Sequence, residues 1–155
     1  MRQLRILNTR QVKEILQKIE QQYGCEIKTE LAFLEDDKYK IYLVNRDVAG
    51  IEFEKLRINS MGLYFAEISK GGEIRLTIEG SAIVGPLAKK NVVELSEEQL
   101  RLYFLGKDVP AELDIEGQPF VLLKYKTDFL GSVKYKEGKL LNYLPKVHRS
   151  EEVIL

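Results

Sequence analysis

The chain has 155 residues, enough for one sizeable core or two small domains, and its 24 basic side chains balance 24 acidic ones. Its only cysteine, Cys25, excludes an internal disulfide, and its only histidine, His148, argues against a Cys/His metal cluster. No apolar run approaches the roughly 20 residues that cross a bilayer and the polar start lacks a secretory signal, so we expect a cytoplasmic chain without a membrane span.

The first predicted element is a helix over residues 9–23. Apolar residues recur there at the 3.6-residue spacing of one helix face, while charged residues occupy the other face. Asn8 or Thr9 supplies the N-cap, and Gly24 supplies the stop.

Two short runs rich in aromatic and β-branched residues follow the helix. Residues 30–34 and 38–45 flank an acidic turn, which predicts a hairpin. Asp47 then caps a predicted short helix that reaches Leu56. Residues 1–58 are therefore expected to form a small α/β module.

From residue 61 onward the chain consists of short strand-like runs separated by glycine-bearing turns. Residues 63–68 and 74–78 predict a second hairpin. A short helical turn is expected over residues 80–88, where Pro86 closes it.

A better helix is indicated by the capping-box pair Ser96 and Gln99, and Gly106 ends it. Three further strands are predicted, at residues 120–125, 129–136 and 139–144. Many short strands with two short helices predict a small, partly closed β-barrel over residues 59–155. The expected fold class is therefore α+β, with the module of residues 1–58 packed directly against this barrel.

Positive charge is concentrated in the last third of the chain. Residues 118–150 hold seven basic and two acidic side chains, although the whole chain has no net charge. Such a segment, interleaved with tyrosines, is one pattern expected of a surface that meets nucleic-acid phosphates. The alternative is the solvated face of a strand, because lysines alternate with tyrosines at residues 124–126 and 134–136. An exposed strand face normally mixes signs, so the excess of bases, to which Lys89 and Lys90 add, favours nucleic-acid binding.

Residues suited to catalysis are few. His148 is the only usual general base, and it lies in a basic segment near the end of the chain rather than in a cleft motif. Cys25 is expected to be a small buried hydrophobe. No phosphate-binding glycine motif follows a predicted strand, so we expect no cofactor and no catalytic activity. A deep pocket of converging polar groups that includes His148 would favour an enzyme instead.

Several motifs occur in the order seen in one RNA-binding module. Residues 75–86, RLTIEGSAIVGP, resemble the signature of PUA domains, the RNA-binding module of pseudouridine synthases and archaeosine transglycosylases. The sequence departs from that signature at Leu87, where a second glycine is usual. Residues 105–109 resemble the turn before a barrel strand of this family, and residues 129–133 resemble a late strand.

The end of the chain resembles one branch of this family. Residues 142–149, NYLPKVHR, are similar to the Asn-x-x-Pro-Lys/Arg-x-x-Arg ending of the PUA-like domain appended to Sun-related RNA cytosine-C5 methyltransferases. The resemblance covers about residues 61–150. Residues 1–58 resemble, by their order of elements, the small α/β domain that precedes PUA modules in archaeal RNA-binding proteins. The methyltransferase domain itself is absent from the sequence.

The resemblance implies a pseudo-barrel that binds structured RNA, either rRNA or tRNA. The leading hypothesis is a non-catalytic RNA-binding protein of archaeal type that acts in RNA modification or ribosome biogenesis, beside an RNA methyltransferase or a ribosomal protein. Lys146 and Arg149 are expected to matter most. Lys124 and Lys126 are candidates to neutralise phosphates, with solubility alone as the alternative role for these two and for Lys139. The expected RNA-binding residues are Gly80, Ser81, Pro86, Lys89, Lys90, Lys134, Lys136, Asn142, Lys146 and Arg149.

A second hypothesis is a protein-interaction adaptor that docks on an RNA-modification enzyme or a ribosomal protein. The acidic remainder of the chain motivates it, since that part suits a basic partner. Apolar side chains left exposed on one face would support it. The oligomeric state follows from neither hypothesis.

Overall fold

The structure, a computed structural model, describes residues 4–45, 62–117 and 119–150. These residues form two five-stranded sheets and three α-helices. The predicted α+β class is confirmed, and the curled second sheet has the half-barrel form of a PUA-like pseudo-barrel.

Helix α1 spans Thr9–Tyr23, as its apolar periodicity predicts. Asn8 and Gln11 form a capping box at its start, because each side chain accepts the backbone N–H of the other at 2.9 Å. The helix buries Ile15 and Ile19 against the first sheet. Gly24 ends it in the left-handed conformation, as predicted.

The first sheet is antiparallel, and its strand order follows the chain. Its strands are β1 (Arg5–Ile6), β2 (Ala32–Glu35), β3 (Lys40–Val44), β4 (Leu63–Ile68) and β5 (Ile74–Leu76). Pairing of β2 with β3 and of β4 with β5 confirms the two predicted hairpins, and β4 also pairs with β3. The predicted helix from Asp47 to Leu56 and the boundary after residue 58 lie outside the described residues, so both stay predictions.

The second sheet has the strand order β6–β8–β9–β10–β7. Its strands are β6 (Val92–Glu94), β7 (Val109–Pro110), β8 (Phe120–Tyr125), β9 (Asp128–Lys136) and β10 (Lys139–Leu140), and β6 runs parallel to β8. Helix α2 (Ile78–Val84) and helix α3 (Glu97–Phe104) lie between the strands along the chain. Single 3₁₀ turns cover Gly85–Leu87 and Lys146–His148. The predicted capping box of Ser96 and Gln99 is confirmed at the start of α3.

Two predicted strands are shorter in the structure. Strand β5 ends at Leu76 because the Thr77 side chain accepts the backbone N–H of Gly80 and caps α2. Strand β10 ends at Leu140 because the chain turns away at Asn142, whose side chain bonds to the end of α3. The sequence pattern predicts neither β1 nor β6, whereas the resemblance at residues 105–109 implies a barrel strand where β7 begins.

Buried apolar residues form a large core in each half of the molecule. The first combines α1 and the first sheet with Val84 of α2 and Leu122 of β8. The second combines α3 with strands β8, β9 and β10. Because Leu122 belongs to the second sheet and lies in the first core, the two halves pack directly against each other. In the described part of the chain, no helix combines the length and apolar character of a membrane span.

Candidate RNA interface

A three-residue segment after helix α2 is held against the end of helix α1. The backbone N–H groups of Lys89 and Lys90 both donate to the Tyr23 carbonyl, at N···O distances of 2.7 and 3.2 Å. The Asn91 side chain donates to the Gln22 carbonyl at 2.6 Å. These bonds satisfy carbonyls that a helix end leaves unpaired, and they place two lysines at the negative end of the helix dipole.

Strand β8 fixes the other side of this segment. The Asn91 carbonyl accepts the backbone N–H of Leu122 at 2.7 Å. Two residues further along β8, the Lys124 Nζ lies 5.5 Å from the centre of the Phe129 ring on β9. This distance suits a cation–π contact. The segment that carries Lys89 and Lys90 is therefore hydrogen-bonded to the strand that holds Lys124 beside an aromatic ring.

Lys89, Lys90 and Lys124 line a groove of about 510 Å³, together with Pro86 and Phe129. We call it the basic groove. Lys89 and Lys90 are exposed, whereas Lys124 and Phe129 are half-buried. None of the described residues that line the groove is acidic, so its local field favours an anion.

The aromatic wall of the groove depends on a close backbone approach. A Cβ atom added to Gly85 would lie 2.3 Å from Cγ of Phe129, a distance that no side chain tolerates. Glycine at this position therefore lets the Phe129 ring pack against the chain just before Pro86.

Two of the predicted RNA-binding residues lie inside the fold. Gly80 is buried, and a Cβ added there would lie 1.9 Å from the Phe65 carbonyl oxygen of β4. Ser81 is also fully buried; its hydroxyl donates to the Ile78 carbonyl at 2.7 Å and accepts the Gly131 N–H at 3.0 Å. Both residues pack helix α2 between β4 and β9, and neither lines the basic groove.

Two predicted residues of the C-terminal segment, residues 141–150, make internal hydrogen bonds. Asn142 Nδ2 donates to the Tyr103 and Lys107 carbonyls, both at 2.8 Å. Its Oδ1 accepts the Leu144 N–H at 3.0 Å. Arg149 is exposed, and its Nε donates to the Leu144 carbonyl at 2.9 Å. Asn142 thus fastens the segment to the end of α3, whereas the Arg149 bond closes the segment on itself.

Three predicted lysines lie on other parts of the surface. Lys134 Nζ is 3.9 Å from a carboxylate oxygen of Glu73 and 5.7 Å from the centre of the Phe120 ring. Lys136 is exposed at the end of β9, where it pairs with Lys139 of β10. Lys146 is exposed in the last 3₁₀ turn. The structure thus groups only Pro86, Lys89 and Lys90 of the predicted residues in the basic groove.

Cys25 and His148 are the remaining candidates for chemistry. Cys25 is buried, as predicted, and desolvation followed by the nearby Glu20 carboxylate raises the pKa of its thiol. His148 is exposed at the edge of a second cavity, of about 310 Å³, which also contains Arg75 and Glu67. Within the described ranges no group of three or more His, Cys, Asp or Glu residues is placed to hold a metal ion.

Comparison with known proteins bears on the second sheet and the groove. Residues 90–150 match the family model of the PUA domain of the methyltransferase RsmF. The matched range includes Lys90, Lys124 and Phe129 of the basic groove. It supports the resemblance to the PUA-like domain of the RNA cytosine methyltransferases.

Whole-chain relatives are larger proteins. The chain is 28% identical over 154 residues to the ribosomal RNA small subunit methyltransferase F of Shewanella sp. (strain MR-4), and 29% identical over 140 residues to that of Aeromonas salmonicida (strain A449). These matches cover 96% and 90% of this chain but 31% and 28% of the relatives. The chain therefore spans less than a third of their length. The relatives are bacterial, so the archaeal part of the resemblance has no support.

Proposed function

We propose that this chain is a non-catalytic RNA-binding domain that holds structured ribosomal RNA for a modification enzyme, and that the basic groove is its contact surface. The observation that carries the proposal is the meeting of Lys89, Lys90 and Lys124 beside Phe129, with no acid among the described lining residues. The match of residues 90–150 to a PUA domain and the names of the relatives support the ribosomal RNA context. Such a domain would act in the cytoplasm, in RNA modification or ribosome biogenesis.

The groove suits a phosphate backbone more than a set of base edges. Its three ammonium groups are point charges that neutralise phosphates without reading a sequence. Phe129 and Pro86 provide apolar surface on which a ribose or a base can pack. The anchored backbone at Lys89 and Lys90 sets where both side chains leave the chain, so the groove suits the shape of an RNA backbone more than a base sequence.

The proposal is tested by titrating the chain with a hairpin fragment of small-subunit rRNA, and with a tRNA, at several salt concentrations. We expect an affinity that falls with salt, because binding releases counterions from the phosphates. One variant changes Lys89, Lys90 and Lys124 to Gln. The fall of log affinity with log salt should become shallower by about 2, or about 0.7 to 0.9 per lost phosphate contact. This variant should weaken binding roughly tenfold or more at low salt.

Lys13→Gln is the matched control. Lys13 is exposed near the start of α1, whereas the groove lies at the other end of that helix, about 15 Å away along the axis. The Lys13→Gln variant removes one charge away from the groove and should leave the salt dependence of RNA affinity nearly unchanged. Millimolar affinity at low salt, the absence of a salt slope, or equal effects of control and groove variants would overturn the proposal. Tighter binding of tRNA than of rRNA would reassign the substrate.

A protein partner is the second candidate, and exposed apolar side chains favour it. Ile78, Ile83 and Leu87 belong to α2 and the following turn, and they are 38%, 38% and 51% exposed. Such side chains suit docking on an RNA methyltransferase or a ribosomal protein. Capture of one such partner after nuclease treatment, lost in the variant Leu87→Ser, would favour the adaptor over direct RNA binding.

A further inference from the structure

A second cavity lies between the first sheet and the C-terminal segment. It has a volume of about 310 Å³, at the lower end of the range for small-ligand sites. Strands β3, β4, β5 and β9 and the start of α2 line it, together with Tyr103, Tyr143 and residues 144, 145 and 148. No residue lines both this cavity and the basic groove. We call it the tyrosine cleft, after Tyr64, Tyr103 and Tyr143.

The cleft contains a hydrogen-bond donor and an acceptor held side by side. Arg75 donates from Nη2 to Oε2 of Glu67 at 2.7 Å, and the Tyr64 hydroxyl donates to the same oxygen at 3.3 Å. Both described hydrogen bonds to Glu67 thus use Oε2, which leaves Oε1 for a ligand. The described bond of Arg75 uses one of the five N–H donors that a guanidinium carries.

Aromatic rings hold this ion pair in place. The Arg75 guanidinium carbon lies 5.1 Å from the centre of the Tyr143 ring. The Phe120 ring backs Tyr143 at a centroid distance of 5.9 Å. The Arg75 side chain is only 19% exposed, so its position is set by packing as well as by charge. The cleft therefore has apolar aromatic walls with a fixed polar edge.

The phenols of the cleft are neutral near pH 7. Desolvation by burial raises the pKa of Tyr64 to about 12 and that of Tyr103 to about 12. Desolvation also raises the pKa of Tyr143. The charges that a ligand meets are those of Arg75 and Glu67, with Lys40, Glu79 and His148 also among the lining residues.

We propose that the tyrosine cleft binds one unstacked guanine base of an RNA strand. Guanine presents two neighbouring N–H donors beside a carbonyl acceptor, and the carbonyl suits the Arg75 guanidinium. One donor suits Oε1 of Glu67, and the other replaces the longer bond, of 3.3 Å, that the Tyr64 hydroxyl makes to Oε2. None of the other three RNA bases presents two adjacent ring-edge donors of this kind. The aromatic walls bury the faces of the base. As the base belongs to RNA, this assignment rests on the proposed function.

The test is a titration of the ¹⁵N-labelled chain with guanosine and with the four nucleoside 5′-monophosphates, followed by amide chemical shifts. We expect saturable shifts at Glu67, Arg75 and Tyr143, with guanosine and GMP binding at least about tenfold more tightly than the other three nucleotides. Guanosine carries no phosphate, so its binding separates recognition of the base from attraction of an anion to the basic groove.

Glu67→Gln is the decisive variant, because it keeps the shape of the side chain and removes the carboxylate. It should weaken guanosine binding about tenfold and abolish the preference for guanine. Glu73→Gln is the matched control: Glu73 lies on the same hairpin, next to Lys134 and outside the cleft. It should leave guanosine binding unchanged. Amide spectra of both variants report whether the fold is kept.

The outcomes separate this proposal from the proposed function. The groove variant with Lys89, Lys90 and Lys124 changed to Gln should lose RNA binding and keep guanosine binding. Absence of saturable guanosine binding, equal binding of all four nucleotides, or shifts confined to the groove would overturn the cleft assignment even if RNA binds. Guanosine binding without any RNA binding would instead overturn the proposed function.

Discussion

Gly80 sets the distance between helix α2 and strand β4. A Cβ atom at this position would lie 1.9 Å from the Phe65 carbonyl oxygen, and Phe65 is fully buried in the first core. The same carbonyl accepts the Thr77 N–H at 3.1 Å. The glycine in the family-like signature therefore has a packing role that needs no RNA.

We expect Gly80→Ala to lower the free energy of unfolding by about 3 kcal/mol, because the methyl group forces backbone apart in a packed core. Urea denaturation measures the loss. Gly71→Ala is the control, since a Cβ there meets only side-chain atoms at ordinary contact distances, Glu73 Oε1 at 3.5 Å and Ser69 Oγ at 4.0 Å. A Gly80→Ala chain as stable as the control would contradict the packing argument.

At the scale of elements, one amide side chain and backbone hydrogen bonds outside any strand hold the C-terminal segment. Asn142 uses both amide N–H groups on carbonyls at the end of α3, and the Ser150 N–H donates to the Phe104 carbonyl at 2.8 Å. Asn142 also precedes Tyr143, which contacts Arg75 in the tyrosine cleft. One amide side chain thus fixes a segment that lines the cleft.

We expect Asn142→Ala to lower the free energy of unfolding by about 1–3 kcal/mol. The Tyr103 and Lys107 carbonyls and the Leu144 N–H each lose a hydrogen bond to this side chain. Amide hydrogen exchange should become faster at Leu144 and Ser150, and denaturation should show the loss of stability. Lys146→Ala serves as the comparison, because Lys146 is exposed in the same segment. If both variants exchange at the rate of the parent chain, Asn142 does not hold the segment.

At the scale of the whole molecule, the features predicted from sequence are those whose causes are local. Helix α1 has its apolar stripe, capping box and terminal glycine within residues 8–24, so its bounds were predicted correctly. Strand β6 was missed because it has three residues and pairs in parallel with β8, with Val92 opposite Leu122. Nothing near Val92 in the sequence specifies that partner.

The candidate groove follows the same rule. Local charge predicts Lys89 and Lys90, leaves Lys124 between phosphate contact and solubility, and does not indicate Phe129. Their contact depends on the register that places Lys124 opposite Phe129, next to an irregularity in the β8–β9 pairing. Counting the hairpin register outward from the turn after Tyr125 predicts that Lys124 and Phe129 are neighbours. The roles of Gly80 and Asn142 depend on tertiary contacts and had no local signal.

One hydrogen-bonded cluster joins both halves of the molecule. The Tyr23 hydroxyl of α1 lies 2.5 Å from the Ser132 Oγ of β9. The same Oγ accepts the Leu76 N–H of β5 at 3.1 Å. A helix and one strand from each sheet therefore meet at a buried serine, where a charge has no access to water.

This cluster predicts a loss of stability at alkaline pH. Desolvation raises the pKa of Tyr23 from 10.0 to about 12, although the Ser132 hydrogen bond opposes the rise. Because the pKa of Tyr23 is higher in the folded chain than in the unfolded chain, the neutral phenol stabilises the fold. This stabilisation is fully present below pH 10 and is lost as the pH rises through 12. Tyr23→Phe should reduce this alkaline loss of stability by about 2–3 kcal/mol, at 1.36 kcal/mol per pKa unit.

Denaturation at pH 8, 10 and 12 measures the alkaline loss of stability. Tyr39→Phe, at an exposed position, is the control. Equal alkaline losses in the parent chain and in Tyr23→Phe would mean that the phenol stays accessible to water, and the two halves would then not be joined through a buried hydroxyl.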